Sequence, residues 1–80
     1  MSTPRITLFG RPGCHLCDDA RLVIEAICAE TGESYEELSI DDDPALGDRF
    51  ANEIPVTFVD GKQHDFWRVD PERLRRALRG

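Results

Sequence analysis

The stretch from residue 5 to residue 17, Arg5-Ile6-Thr7-Leu8-Phe9-Gly10-Arg11-Pro12-Gly13-Cys14-His15-Leu16-Cys17, decides how this chain folds. Its first half is a short β-type run in which Ile6, Leu8 and Phe9 are apolar, closed by the breakers Gly10, Pro12 and Gly13. A buried first strand over residues 5–9 is predicted. Beyond the breakers Leu16, Ala20, Val23, Ile24, Ile27 and Cys28 recur at helical spacing, while Asp18, Asp19, Arg21 and Glu25 fall mainly on the other side. This pattern predicts an amphipathic helix ending near Gly32, with Cys14 and Cys17 at the junction of strand and helix.

Outward from that unit, Leu38 and Ile40 with intervening polar residues predict a second strand over residues 35–40, broken by Asp41, Asp42 and Asp43. Pro44 fits a first helical turn and Leu46 with Phe50 forms an i, i+4 apolar pair, so a short helix runs to about residue 51. Val56-Thr57-Phe58-Val59 is strongly β and Asp60-Gly61 is a hairpin turn signal, returning a partner strand over residues 62–67. Asp70 is a good N-cap, Pro71 suits the first helical position, and Val69 can staple onto Leu74 in a last helix that buries Leu74 and Leu78. The order is β-α-β-α-β-β-α. A helical crossover makes the first two strands parallel and the tight turn makes the last two antiparallel, giving an α/β fold with a mixed four-stranded sheet flanked by helices.

Composition bounds the function. Eighty residues give one domain, expected to span residues 1–80, and 40% hydrophobic with 32% charged residues describe an ordinary packed core. A net charge of −6 argues against nucleic acid, which needs clustered cations. Only the last helix is basic; Arg73, Arg75, Arg76 and Arg79 form either a solvated surface or a docking face. With no run of about 20 apolar residues and no signal-peptide segment, the chain reads as a cytoplasmic monomer away from membranes. Three cysteines, two of them close together, do not form the framework of a secreted mini-protein and point to redox or metal chemistry in a reducing compartment.

Two cysteines separated by two residues at a helix start can close a disulfide within one turn. The unpaired N–H groups and the positive end of the helix dipole favour a thiolate at the first of them. Cys14 is therefore the candidate nucleophile and Cys17 the candidate resolving thiol. Arg11 and a protonated His15 would support the thiolate, whereas Asp18 would oppose it. Zinc would need two further ligands from His15, Cys28 or His64, and no second Cys-x-x-Cys exists. Cys28, on the apolar helix face and too far along the axis to reach the dithiol, reads as a packing residue. His15 either tunes the thiolate or is exposed, His64 reads as an exposed strand residue, and Trp67 reads as an aromatic packed against the last helix at the core edge, with part of a substrate surface beside the dithiol as the alternative.

The arrangement resembles glutaredoxin-like proteins of the thioredoxin superfamily, particularly compact bacterial members with a Cys-x-Leu-Cys dithiol. The matching residues are Thr7-Leu8-Phe9, Arg11-Pro12-Gly13-Cys14-His15-Leu16-Cys17, Ile54-Pro55-Val56 and Val59-Asp60-Gly61-Lys62, spread over most of the chain. The resemblance implies a cis Ile54–Pro55 bond facing the dithiol, with Pro55 as a substrate platform. It implies a thiol-disulfide oxidoreductase that serves redox homeostasis by reducing protein or small-molecule disulfides, with no bound cofactor and either glutathione or a thioredoxin-reductase-type protein as donor. Glutathione would meet Arg11, the backbone at Ile54 and Pro55, and an acidic residue before the last helix, here Asp70. The paired glycines that accompany that acid are replaced by Phe66-Trp67-Arg68-Val69, whose side chains obstruct a close backbone approach. Two other functions are compatible with the residues: a metal or iron-sulfur binding module, and a non-catalytic binding domain that uses the arginine-rich helix.

Overall fold

A computed structural model describes residues 4–79. Strand β1 (Ile6–Gly10) leads into helix α1 (His15–Thr31), and strand β2 (Tyr35–Ser39) follows. A 3₁₀ turn (Ile40–Asp42), helix α2 (Pro44–Phe50), strands β3 (Val56–Val59) and β4 (Lys62–Phe66) and helix α3 (Pro71–Arg79) complete the order. The four strands form one sheet in the order β2-β1-β3-β4. β1 is parallel to β2 and antiparallel to β3, and β3 is antiparallel to β4, which is the mixed sheet the sequence implies.

Alternation along β1 separates the two faces of the sheet. Ile6 and Leu8 join Val59, the Ala20, Ile24 and Ile27 stripe of α1, and Val69, Leu74 and Leu78 around α3 in one core cluster. On the opposite face Ile40, Phe50 and Val56 pack with Phe9, Leu46, Ile54 and Phe58. Phe9 stacks on Phe50 with centroids 5.3 Å apart, and Phe58 meets both rings edge-on. Helices α1 and α3 therefore cover one face and α2 the other.

Local signals fix the ends of these elements. Gly32 closes α1 with φ +78°. Asp43 caps α2 through its side chain, which accepts from the Ala45 N–H, and Pro44 follows in the first turn. Asp60 and Gly61 both have positive φ, 53° and 81°, as a type I′ hairpin turn requires.

Three expectations change. Ile40 is not a strand residue: it opens the 3₁₀ turn and drops into the aromatic cluster, while Leu38 lies exposed on the edge strand β2. Leu16 belongs to the helical period of α1 but is 44% exposed, because it precedes the point where that face meets the sheet. Trp67, favoured as a core-edge aromatic, is 51% exposed.

Candidate active site

The site forms where β1 ends and α1 begins. The Cys14 N–H donates to the Arg11 carbonyl at 3.3 Å, closing a turn through Pro12 and Gly13. Gly13 takes φ +81°, a backbone conformation open to glycine and costly for a side-chain-bearing residue. That turn delivers Cys14 to the N-cap of α1 with φ −90° and ψ 114°. Its Sγ then fills the role a Ser or Asp oxygen usually fills, accepting the Cys17 N–H at 3.2 Å. A backbone N–H is thus aimed at the sulfur at the start of a 17-residue helix.

Cys17 lies one turn further in and is 1% exposed, on the same buried stripe as Ala20, Ile24 and Ile27. Burial, then the hydrogen bond with Cys14, push its pKa up to about 12. The two sulfurs thus differ in kind: Cys14 is half-buried and reachable, and Cys17 is covered and protonated at neutral pH. Asp18 could oppose an anion at Cys14, but its carboxylate accepts from Arg21 Nη1 at 3.0 Å, and Arg21 also holds Glu37 through two bonds of 2.7 and 2.8 Å.

On the other side of the site the Ile54–Pro55 bond is cis, as the resemblance implies. β1 and β3 pair from Ile6↔Val59 to Phe9↔Val56, so one step further along this register Pro55 comes opposite Gly10. Gly10 is also the residue over which the Cys17 sulfur rests, since a β-carbon built on it would lie 2.9 Å from Cys17 Sγ. Dithiol, Gly10 and cis proline are therefore brought together at one end of the sheet.

The residues implied by the resemblance for glutathione have other engagements. The Ile54 N–H donates to the Phe50 carbonyl at 3.1 Å, and the Pro55 carbonyl accepts the Trp67 N–H at 2.8 Å. Asp70 Oδ1 caps α3, accepting from the N–H groups of Glu72 at 2.9 Å and Arg73 at 3.4 Å. Arg11 Nε pairs with Asp41 at 3.0 Å, but both partners are exposed and such a pair is weak, so Arg11 remains available.

Trp67 lies at the surface near the start of α1, the alternative to packing that the sequence offers. It adopts φ +65°, fixed by the Pro55 bond, by an indole N–H to the Asn52 carbonyl at 3.1 Å and by an edge-on contact with Phe66. With Leu16, Val23 and Val69 it lines a shallow groove of about 220 Å³ beside the first turn of α1. No periodicity signals a tryptophan in this conformation, because its partners are backbone carbonyls 12 and 15 residues earlier.

The remaining candidates lie elsewhere. His15 is exposed at the start of α1. His64 is half-buried rather than exposed, its Nε2 has no hydrogen-bond partner, and burial lowers its pKa. Cys28 packs against the α1–α3 core as expected. Among the described residues no three His, Cys, Asp or Glu side chains gather as a metal site, and no helix is long and apolar enough to cross a membrane. Arg75 of the basic helix is tied to Glu30 and Glu72, and Arg73 to Asp65, which leaves Arg76 and Arg79 at the exposed surface.

A sheet in the order β2-β1-β3-β4, a Cys-x-x-Cys capping the first helix and a cis proline opening the third strand together define a thioredoxin-fold domain. The chain belongs to the family described as glutaredoxin-like domain (DUF836), whose model matches residues 5–79. It is 33% identical over 82 residues to the uncharacterized protein Rv0508 of Mycobacterium tuberculosis, an alignment covering 94% of this chain and 82% of that one. Among solved structures, the XcR50 protein of X. campestris is 32% identical, with a TM-score of 0.76 over 92% of this chain and 95% of that chain. A glutaredoxin of Archaeoglobus fulgidus shares the fold, with a TM-score of 0.63 at 16% identity over 99% of this chain and 90% of its own.

Proposed function

We propose that this protein is a thiol-disulfide oxidoreductase in which Cys14 is the nucleophile and Cys17 the resolving thiol. The observation that carries the reading is the asymmetry of the pair: Cys14 Sγ accepts a backbone N–H at the helix N-terminus while Cys17, one turn below, is buried and held as a thiol. In the first step the Cys14 thiolate attacks a substrate disulfide, forming a mixed disulfide and expelling one substrate thiolate. Cys17 then loses its proton and attacks Cys14 Sγ. The Cys14–Cys17 disulfide forms, the second substrate sulfur leaves and takes up a proton, and the substrate has gained two electrons. Pro55, with the backbone at Ile54, forms the platform on which the substrate backbone lies beside Cys14.

The engaged Ile54 N–H and Asp70 carboxylate support a donor other than glutathione, such as a thioredoxin-reductase-type protein. Each hydrogen bond forgone weakens binding by roughly 1 kcal/mol, or about fivefold. Reduction of insulin disulfides is the direct test, with glutathione plus its reductase and a thioredoxin-reductase system assayed side by side. We expect Cys14→Ser to abolish activity and Cys17→Ser to accumulate mixed disulfide. Turnover by Cys14→Ser at the wild-type rate rejects the mechanism, and a faster rate with glutathione than with the reductase system rejects the donor assignment.

A further inference from the structure

We propose that Gly10 is a positioning residue for the resolving thiol: the bare backbone at the end of β1 is the seat in which the Cys17 sulfur rests. The inference rests on the dithiol reading above and concerns only its second step.

Gly10 is buried on the sheet face that carries Ile6 and Leu8, and its backbone lies in the ordinary strand region rather than at positive φ. Conformational freedom is therefore not what this position demands. A glycine inside a strand costs roughly 0.5–1 kcal/mol relative to alanine, and its usual structural meaning is a close approach by something else. Here that something is Cys17: a β-carbon on Gly10 would stand 2.9 Å from its Sγ and 3.3 Å from its Cβ, and nothing else lies within 4 Å. The row Ile6, Leu8, Gly10 thus steps down in size where the first turn of α1 crosses the strand. The sulfur fits into the space this leaves.

The placement matters for resolution because the Cys17 thiolate must approach Cys14 Sγ in line with the departing substrate sulfur. As the new bond forms between the two cysteine sulfurs, the bond from Cys14 to the substrate breaks and its electron pair leaves with the substrate sulfur. A side chain at Gly10 moves Sγ off its seat, either by rotating Cys17 or by tilting the start of α1. The first attack, by Cys14 on an external disulfide, does not use this seat. Misplacement of a reacting atom by about 1 Å can slow a step about 100-fold, so a smaller shift is expected to slow resolution about tenfold.

The test is the reaction of Gly10→Ala with 5,5′-dithiobis(2-nitrobenzoate), in a Cys28→Ser background that removes the third thiol. Attack by Cys14 releases one thionitrobenzoate, and attack by Cys17 on the resulting mixed disulfide releases the second, so the absorbance trace separates the two steps. We expect the first phase to stay within about twofold of wild type and the second to slow about tenfold. An unchanged second phase, or equal slowing of both phases, overturns the proposal. Cys17→Ser in the same assay isolates the underlying reading, which fails if the second release persists without Cys17. If Gly10→Ala does not fold, Gly10→Ala/Cys17→Ala should, because the colliding sulfur is gone. A double variant that stays unfolded overturns the proposal as well.

Discussion

Cys17 and Thr57 are both almost fully buried, yet only one of them has its polar atom accounted for. The Cys17 sulfur meets Cys14 and Gly10, whereas the Thr57 hydroxyl, on a residue 1% exposed and paired with Leu8 across the sheet, has no hydrogen-bond partner. Burying a hydroxyl without a partner costs roughly 1–3 kcal/mol by mutational measure, and valine keeps the same branched shape in a strand. Thr57→Val is therefore expected to raise stability by about 1 kcal/mol, read as a higher urea midpoint at unchanged slope. A lower midpoint would show that the hydroxyl has a partner in solution. Residues of this kind separate what the sequence discloses from what it hides. Cys14 and Cys17 were legible because their chemistry depends on spacing and on a helix start, both local. Gly10 could be read only as a breaker and Thr57 only as a strand former, since their significance lies in contacts with distant residues. Which of its two readings Trp67 follows was hidden for the same reason, its conformation being set by carbonyls of the segment that precedes β3.

Helix α3 shows how one residue can satisfy a local rule and a family expectation that pull apart. Asp70 was named both as an N-cap and as the acid that glutathione would meet, and its carboxylate accepts two N–H groups of the first turn. Removing such a cap costs about 1 kcal/mol, whereas asparagine caps nearly as well as aspartate. Asp70→Ala is accordingly expected to lower stability by about 1 kcal/mol, and Asp70→Asn to restore most of it while leaving KM for glutathione unchanged. Thermal denaturation and steady-state kinetics on the two variants distinguish the roles. A raised KM in Asp70→Asn at unchanged Tm would reassign the carboxylate to the ligand. Elements marked by such caps and turns, including the Asp60-Gly61 hairpin and α2 behind Asp43-Pro44, were legible nearly to the residue. The 3₁₀ turn at Ile40–Asp42 was not, because Ile40 leaves the strand to reach Phe50 and Val56. Alternation alone cannot distinguish that from one more strand residue.

Across the whole molecule, titratable groups in separate places set opposite edges of one stability profile. Burial holds the His64 pKa below its ordinary 6.5, so the unfolded chain takes up a proton more readily; this stabilisation is complete above pH 6.5 and lost as pH falls. Glu30, lowered by Arg75 from 4.5, and Asp60, lowered by Arg5 from 3.8, act in the same direction further down, each tying one part of the fold to another. Cys17 has the reverse sign. Its folded value of about 12 stands above the ordinary 9.0, so its contribution is complete below pH 9.0 and lost as pH rises toward 12. Cys28 is raised from 9.0 and Tyr35 from 10.0, both first by burial, and they reinforce that alkaline edge. Stability should then be flat between about pH 6.5 and 9 and decline on both sides. Denaturant midpoints measured across the pH range should show His64→Gln losing the shoulder just below 6.5 while keeping the alkaline edge. Cys17→Ala/Cys28→Ala should do the reverse, flattening the profile between pH 9 and 10, below the ordinary value for tyrosine. An alkaline decline that begins at pH 9 in the double variant would show that the cysteines are not its source. The buried Cys17 would then lose its claim to be held as a thiol by the fold.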